Sequence, residues 1–454
     1  MNPEATRKSI SSETGKEMHD LVKRLYPICR SITGEGVRQT LNIVKEYIPL
    51  KIHEVPTGTR AFDWTVPPEW NIKDAYVASA DKRRVVDFRK SNLHVVGYSV
   101  PVRTTMSLKE LREHLVTLPD HPDWIPYRTS YYKKTWGFCM SQNQLSALKE
   151  GEYEVCIDSS LEKGTLTYGE LLIKGSTKDE VLISTHICHP SMCNDNLSGI
   201  ALCTLLARQI AESSPRYSYR FLFVPGTIGS IVWLSRNQKD AMKIKHGLVV
   251  ACVGDGGIFN YKKSRKGTAD IDRIVVQVLK DSGQEYSVRE FSPYGYDERQ
   301  YCSPGFNLPV GSLTRTPHDR FPEYHTSADN TEFVRPEYLA ESLHHYMQVV
   351  SAIEGNRTYV NQNPRCEPQL GKRGLYRQEG GKVVQPVDEL AVLWVLNLSD
   401  GDNSLLDIVE RSGLPFGTIA SAANALKACG LLKEKRPGRR NLYSSAATIA
   451  SRRN

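Results

Sequence analysis

Apolar residues recur along this chain with two different periods, and the changes between them divide it. Near the start, Met18, Leu21, Val22 and Leu25 fall on one face at helical spacing and predict a helix over 17–26, closed by Pro27. Val37, Leu41, Val44 and Ile48 predict a second helix over 37–47. The loop between them, Cys29-Arg-Ser-Ile-Thr-Gly-Glu-Gly36, reads first as an inter-helix turn, with ligand contact by Arg30 or Thr33 as the alternative. From 52 to about 166 the period shortens. Runs such as Tyr76-Val-Ala, Leu93-His-Val-Val-Gly-Tyr and Glu152-Tyr-Glu-Val-Cys-Ile, broken by Pro, Gly and Asn, predict a β-rich inserted subdomain with one helix near 107–116. Its aromatic residues, Trp64, Trp70, Trp124, Tyr127 and Trp136 among them, read first as packing for a small β layer and second as the roof of a pocket.

Beyond Gly169 strands and helices alternate. Strands are expected over 181–185, 219–224, 247–253 and 286–291, and helices over 197–212, 230–237, 271–281 and 336–353. This alternation predicts an α/β sandwich. Residues 356–381, rich in Pro, Gly, Arg and Gln, read as a linker. Three further helices are expected over 389–398, 404–412 and 418–429, followed by Leu431-Leu-Lys-Glu-Lys-Arg, the turn Pro437-Gly-Arg-Arg and Asn441-Leu-Tyr, which is winged-helix order. The domain plan is therefore 1–51 with 167–355, an insertion over 52–166, a linker over 356–381 and a winged helix over 382–454.

Composition narrows the class. The 454 residues leave room for more than one domain, and 40% hydrophobic with 24% charged residues is ordinary for a globular protein. Ten cysteines without a Cys-x-x-Cys argue against a disulfide scaffold, a structural zinc finger and a dithiol redox centre. The polar start Met1–Gly15 lacks a signal-peptide core, and no apolar run reaches some 18 residues. A cytoplasmic homo-oligomer with no membrane partner is expected. The net charge of +8 permits an anionic partner. Eight basic residues against Glu434 alone between Lys427 and Asn454 suit nucleic-acid contact, but the 418–428 helix carries one lysine, so protein contact is favoured.

The chemistry concentrates in Ser184-Thr-His-Ile-Cys-His-Pro-Ser-Met-Cys-Asn-Asp-Asn-Leu-Ser-Gly199, where His186, His189 and Asp195 join a buried strand to a helix. Asp255 ends another strand in a glycine-rich bend, and His325 precedes the last helix of the α/β region. A single histidine is more often a satisfied core group than a ligand. A His, Asp, Asp, His set at strand ends of one sheet changes that balance, because its nitrogen and oxygen donors suit zinc or a related divalent ion.

These residues carry a resemblance. The order His…Asp-Asn-x-Ser-Gly…Asp…His-Thr is similar to that of the zinc aminopeptidase-like superfamily, which includes bacterial leucyl aminopeptidases and glutaminyl cyclases. Cys-Arg-Ser-Ile-Thr-Gly, Cys-His-Pro-Ser-Met-Cys-Asn-Asp-Asn-Leu-Ser-Gly, Asp-Glu-Arg-Gln-Tyr-Cys-Ser-Pro-Gly and Tyr-His-Thr-Ser-Ala-Asp-Asn resemble, more closely, a bacterial branch described as aminopeptidase-like proteins of polysaccharide biosynthesis, with a β-rich insertion and a carboxyl-terminal winged helix. The resemblance implies a mixed-sheet αβα sandwich. It also implies one or two ions, Zn2+ or another divalent metal, held by His186, Asp195 as the bridge, Asp255 and His325.

The pattern breaks at two places. Peptidases carry a base glutamate and a ligand glutamate where this chain has Gly226 and Thr227, and the nearer branch carries glutamate in place of Gly226. Cys188 stands where peptidases have an aspartate that orients the histidine. Loss of a general base costs about 10²–10⁴ in rate. Asp297 and Glu298 are candidate substitutes, and His189, Arg299 and Arg315 are candidate extra ligands or substrate contacts. Two readings follow: hydrolysis of an amide bond in a small amino-acid, peptide or amino-sugar ligand, linked to polysaccharide synthesis, or a catalytically silent ligand-binding protein acting as a regulator or assembly factor through its winged helix.

Overall fold

Every residue of the strand Glu180–His186 is buried, because it lies between two parallel neighbours inside a sheet. A computed structural model describes residues 12–375 and 387–435. It arranges eight strands in the order Lys51–Pro56, Thr165–Ile173, Ser218–Val224, Glu180–His186, Ile244–Val250, Val310–Thr314, Phe259–Lys262 and Tyr286–Arg289. The four from Ser218–Val224 to Val310–Thr314 run parallel, while antiparallel pairings flank them on both sides. The expected mixed α/β sheet is therefore present. Parallel strands covered on both faces need continuous apolar sequence, and Tyr219, Phe221, Leu222 and Phe223 are fully buried. Full burial of a large apolar side chain contributes about 1.5–3 kcal/mol.

The helix Ser198–Ala211 packs on the Glu180–His186 strand and on the helix Ser12–Leu25. Ile228–Arg236 packs on Thr165–Ile173 and Ser218–Val224. Four strands of this sheet escaped the sequence pattern: Lys51–Pro56 and Thr165–Ile173, at the borders of the expected insertion, and two farther along the chain. Val310–Thr314 is interior but contains Gly311, Ser312 and Thr314, and Phe259–Lys262 alternates Phe and Tyr with Asn260 and a Lys262 whose charge is paired inside the protein.

The inserted region forms a four-stranded antiparallel sheet, Arg84–Asp87, Glu69–Ser79, Glu152–Glu162 and Val102–Ser107. The helix expected near 107–116 shrinks to Leu108–Leu111. Ser107 and Glu110 form a capping box there, and the chain then passes through a short turn into Leu115–Val116, which pairs with Phe138–Cys139.

By internal contacts the described residues divide into two units, 12–272 with 284–347, and 273–283 with 348–375 and 387–435. In the second, helices Glu389–Leu398, Leu405–Ser412 and Phe416–Ala428 match the expected three. Thr358–Asn361, read as the start of a linker, is instead a strand between Asp400–Ser404 and Leu432–Glu434, with Tyr359 and Asn361 buried. The expected turn at Pro437 and the run Asn441-Leu-Tyr lie outside the described residues. All ten cysteines are free thiols. Among the described residues no helix is long and apolar enough to cross a membrane.

Candidate metal centre

Strand register brings the first two elements of the site together. His186 pairs with Val224 in the parallel ladder, so Gly226, two residues further on, lies beside the imidazole. A Cβ placed on Gly226 would stand 3.1 Å from His186 Cβ and 3.5 Å from Asp297 Oδ2. After His186 the chain runs through His189 into the irregular turn Cys193–Leu197, which delivers Asp195. Asp329 holds that turn, with Oδ1 accepting from the Cys193 and Asn194 amides at 3.1 and 2.6 Å and Oδ2 from the Asp195 amide at 2.9 Å. The Asn196 side-chain amide donates to Thr185 Oγ1 at 2.8 Å and to the His186 carbonyl at 3.0 Å.

Asp195 is fully buried between imidazoles. Its Oδ1 lies 2.9 Å from His186 Nε2, and its Oδ2 lies 3.0 Å from His325 Nε2 and 3.8 Å from His189 Nδ1. The donor atoms of His186, His189 and Asp195 all fall within 4.8 Å of one another, close enough to hold one ion. Burial alone would raise the Asp195 carboxyl, but the surrounding histidines outweigh it and hold the group well below the usual range. Burial pushes His189 down to about 3 against the pull of Asp195, and His186, His325 and Arg30 add to the effect. An ionised carboxylate thus faces a neutral imidazole, the protonation state that metal coordination requires. His189 Nδ1 is moreover a buried atom without a hydrogen-bond partner. The donor set fits a divalent ion.

Aromatic rings wall the cluster. Tyr296 stacks on His186 at 4.9 Å, Tyr324 stacks on His325 at 3.9 Å, and Tyr127 stands edge-on to His189 and His325 at 5.4 and 5.1 Å. Tyr127 comes from the inserted region. Its amide donates to the His325 carbonyl at 2.8 Å, and the Ser327 amide donates to the Ile125 carbonyl at 2.9 Å. Arg30 is 2% exposed and donates to the His189 carbonyl at 2.7 Å and to the Leu25 and Pro190 carbonyls. It fixes the His189 backbone from behind, a role invisible in the sequence because the partners are carbonyls some 160 residues away.

A cavity of about 200 Å3 opens beside His186 and His189, with Asp297, Arg299 and Gly226 in its wall. Asp297 is fully buried; its Oδ1 accepts from Ser230 Oγ at 2.7 Å, while Oδ2 has no partner. Burial pushes this carboxyl up to about 6, against the pull of His186 and Ser230. Asp255 is not brought into the imidazole cluster. Its oxygens accept from the Asn194 side chain at 2.8 Å, Thr316 Oγ1 at 2.6 Å and the Gly257 and Thr316 amides at 2.7 and 3.3 Å.

A family model described as a domain of unknown function, DUF4910, matches residues 19–356, three quarters of the chain. The chain belongs to the DUF4910 family. A winged helix-turn-helix model matches residues 357–434. A Clostridium acetobutylicum protein is 57% identical over 423 residues, 93% of this chain and 97% of its own length; its name is that of a candidate polysaccharide biosynthesis protein with an aminopeptidase-like domain. The crystal structure of a candidate peptidase from the same species superposes with a TM-score of 0.91 at 55% identity, covering 96% of this chain and all of that one. The zinc aminopeptidase of Bacillus subtilis superposes with a TM-score of 0.55 at 11% identity, covering 75% of this chain and 95% of its own. The DUF4910 domain thus has the zinc-aminopeptidase fold.

The remaining candidates in the DUF4910 domain divide. Glu298 Oε1 pairs with Lys262 at 2.7 Å, and Glu298 does not line the cavity. Arg315 is 5% exposed and is spent on Glu341 at 2.8 Å and the Gly257 carbonyl, clear of the cavity. In the winged helix, Phe416–Ala428 exposes Ser421, Asn424 and Lys427, a single basic side chain.

Proposed function

We propose that this protein is a metal-dependent hydrolase of amide bonds in small amino-acid or amino-sugar compounds, with Asp297 replacing the glutamate absent at Gly226. The observation that carries this reading is the buried, unpartnered Asp297 Oδ2, 3.5 Å from where a side chain at 226 would begin. A buried acceptor left open in a cavity awaits a donor. The missing carboxylate is thereby supplied from another loop.

His186, His189 and Asp195 would hold one divalent ion such as zinc, while His325 lies against the second oxygen of Asp195. An ion there supplies Lewis acidity towards a carbonyl and lowers the pKa of water. Asp297, oriented by Ser230, takes the proton from the attacking water and returns it to the leaving amine. Tyr127, Tyr296 and Tyr324 exclude bulk water around the histidines. The link to polysaccharide synthesis extends the name of the Clostridium relative to this chain. The winged helix is read as a protein-contact module because its third helix presents one lysine; salt-dependent retention on DNA at low ionic strength would overturn that part.

The test is a zinc titration followed by hydrolysis assays on a panel of N-acyl amino acids and N-acyl amino sugars, with wild type and Asp297→Asn. Zinc uptake by both with turnover by wild type alone supports the proposal. Zinc uptake without turnover of any compound by either supports the silent-binder reading instead.

A further inference from the structure

Among the residues lining the cavity beside His186 there is one acid, Asp297, and one permanently charged base, Arg299. Asp297 Oδ2 and Arg299 Nε are both buried and both lack a hydrogen-bond partner, so the two opposite charges share one small space without meeting. Neighbouring groups do not relieve Arg299. Glu298, next in sequence, gives its Oε1 to Lys262, which also donates to the Tyr294 carbonyl at 2.7 Å. His318, also in the lining, is held towards its neutral form by burial. Arg289, close to Glu298, has an unpartnered Nε too, and burial, with Arg320 nearby, depresses its basicity against the pull of Glu298. Among the described residues Arg299 thus makes no ion pair, although Asp297 Oδ2 and Glu298 Oε2 nearby are open as well.

A guanidinium has N–H donors and no acceptor, and it cannot shed its proton. A partly desolvated guanidinium with an open N–H is best satisfied by an oxyanion, with which it forms charge-assisted and often bidentate hydrogen bonds. A substrate with a free ammonium group would instead bring a like charge towards Arg299. We propose that the cavity recognises acidic amides, substrates carrying a carboxylate or phosphate next to the amide bond, with Arg299 as the specificity-determining residue that receives the oxyanion. The amide end then faces Asp297 and the histidines, while the acidic end faces Arg299. The cavity, about 200 Å3, is below the usual range for drug-sized ligands and admits a group about the size of one amino acid. Tyr294, 67% exposed, stands at its rim.

This inference rests on the hydrolase reading for the placement of the amide, but the oxyanion contact belongs to Arg299 alone and can be measured without turnover. The experiment is calorimetric titration of the full chain, metal-free and zinc-loaded, with four probes: N-acetylglycine, N-acetyl-aminomethylphosphonate, neutral N-acetylglycinamide and cationic glycinamide. One or both acidic probes are expected to bind at least about tenfold more tightly than the neutral one, and their order distinguishes a carboxylate from a phosphate substrate. Arg299→Gln is expected to erase that preference, and Arg299→Lys to retain part of it. Equal binding of acidic and neutral probes, tighter binding of glycinamide, or an acid preference that survives in Arg299→Gln would each overturn the proposal. Because the wild-type comparison needs no variant, misfolding of a mutant cannot rescue it. A failed zinc titration with intact acid preference removes the metal reading and leaves Arg299 standing; zinc uptake without acid preference does the reverse.

Discussion

Asp195 and Asp255 are both buried carboxylates in loops near the carboxyl ends of neighbouring strands, and they meet opposite company. Asp195 faces three imidazoles, of which His189 offers a bare nitrogen. Asp255 faces hydrogen-bond donors only, from Asn194, Gly257 and Thr316. A carboxylate whose lone pairs are met by N–H and O–H groups acts as a brace. One ringed by imidazoles, with a bare ring nitrogen among them, is offered to a cation. The two are connected through Asn194, whose amide nitrogen reaches Asp255 and whose oxygen accepts from the Gly254 amide at 2.9 Å. Asp255 therefore acts on the turn that carries Asp195.

Substitution separates the two roles. Asp195→Asn is expected to abolish zinc uptake in a calorimetric titration, the largest effect in the molecule. Asp297→Asn should lower kcat by about 10²–10⁴ while zinc uptake stays at the wild-type level, which distinguishes a base from a ligand. Gly226→Glu, a reconstruction of the peptidase pattern, should reduce activity rather than restore it, since its Cβ already crowds His186 and its carboxylate would compete with Asp297 for one space.

Asp255→Asn tests the comparison most directly. As a brace, Asp255 should cost about 10–100-fold in zinc affinity when changed, together with about 1–3 kcal/mol of stability, read by titration and by urea unfolding. Loss of uptake as complete as in Asp195→Asn would make Asp255 a ligand and remove the distinction.

Glu69 gives the smallest and most local contrast, a third carboxylate whose partner is a full positive charge. Burial raises its carboxyl, but Arg38 at 2.6 Å, the Thr165 amide and Asn71 overcome that and hold it at about 2. Because the folded value lies below the unfolded one, its stabilising contribution is complete above about pH 4.5 and drains away as pH falls towards 2. Thermal melts of wild type and Glu69→Gln should therefore differ near neutral pH and converge as the acid range is entered.

The sequence disclosed those parts of the fold that obey one period at a time. The buried run Val181–Thr185 and the apolar stripe from Leu197 to Ile210 correspond closely to Glu180–His186 and Ser198–Ala211. Strands whose interior positions are Gly, Ser or a paired Lys, such as Val310–Thr314 and Phe259–Lys262, leave no such trace. In the site, the strand-end histidine and the aspartate before the helix were readable because position in an α/β sheet predicts them. The contribution of His189 was open, since its exposure to Asp195 depends on the turn that Asp329 organises. Tyr127 and Arg30 stand in the sequence reading only as second alternatives, a pocket roof and a ligand contact, because the Tyr127 amide and the Arg30 side chain each reach a histidine carbonyl from a distant segment. Asp297 and Glu298 look alike as neighbours in a motif. Only the short helix Glu298–Tyr301, with Asp297 at its start, turns one towards the cavity and the other towards Lys262.

The reciprocal backbone bonds between Ile125–Tyr127 and His325–Ser327 have a consequence for how this domain can be rebuilt or inherited. The inserted region is sewn to the very loop that supplies a histidine, with a further bond from the Ile125 amide to Ser327 Oγ at 3.0 Å. It is thus no detachable ornament. A chimera that imports this insertion from a relative must import the 325–327 loop with it, and two such proteins can exchange the two pieces only as a pair.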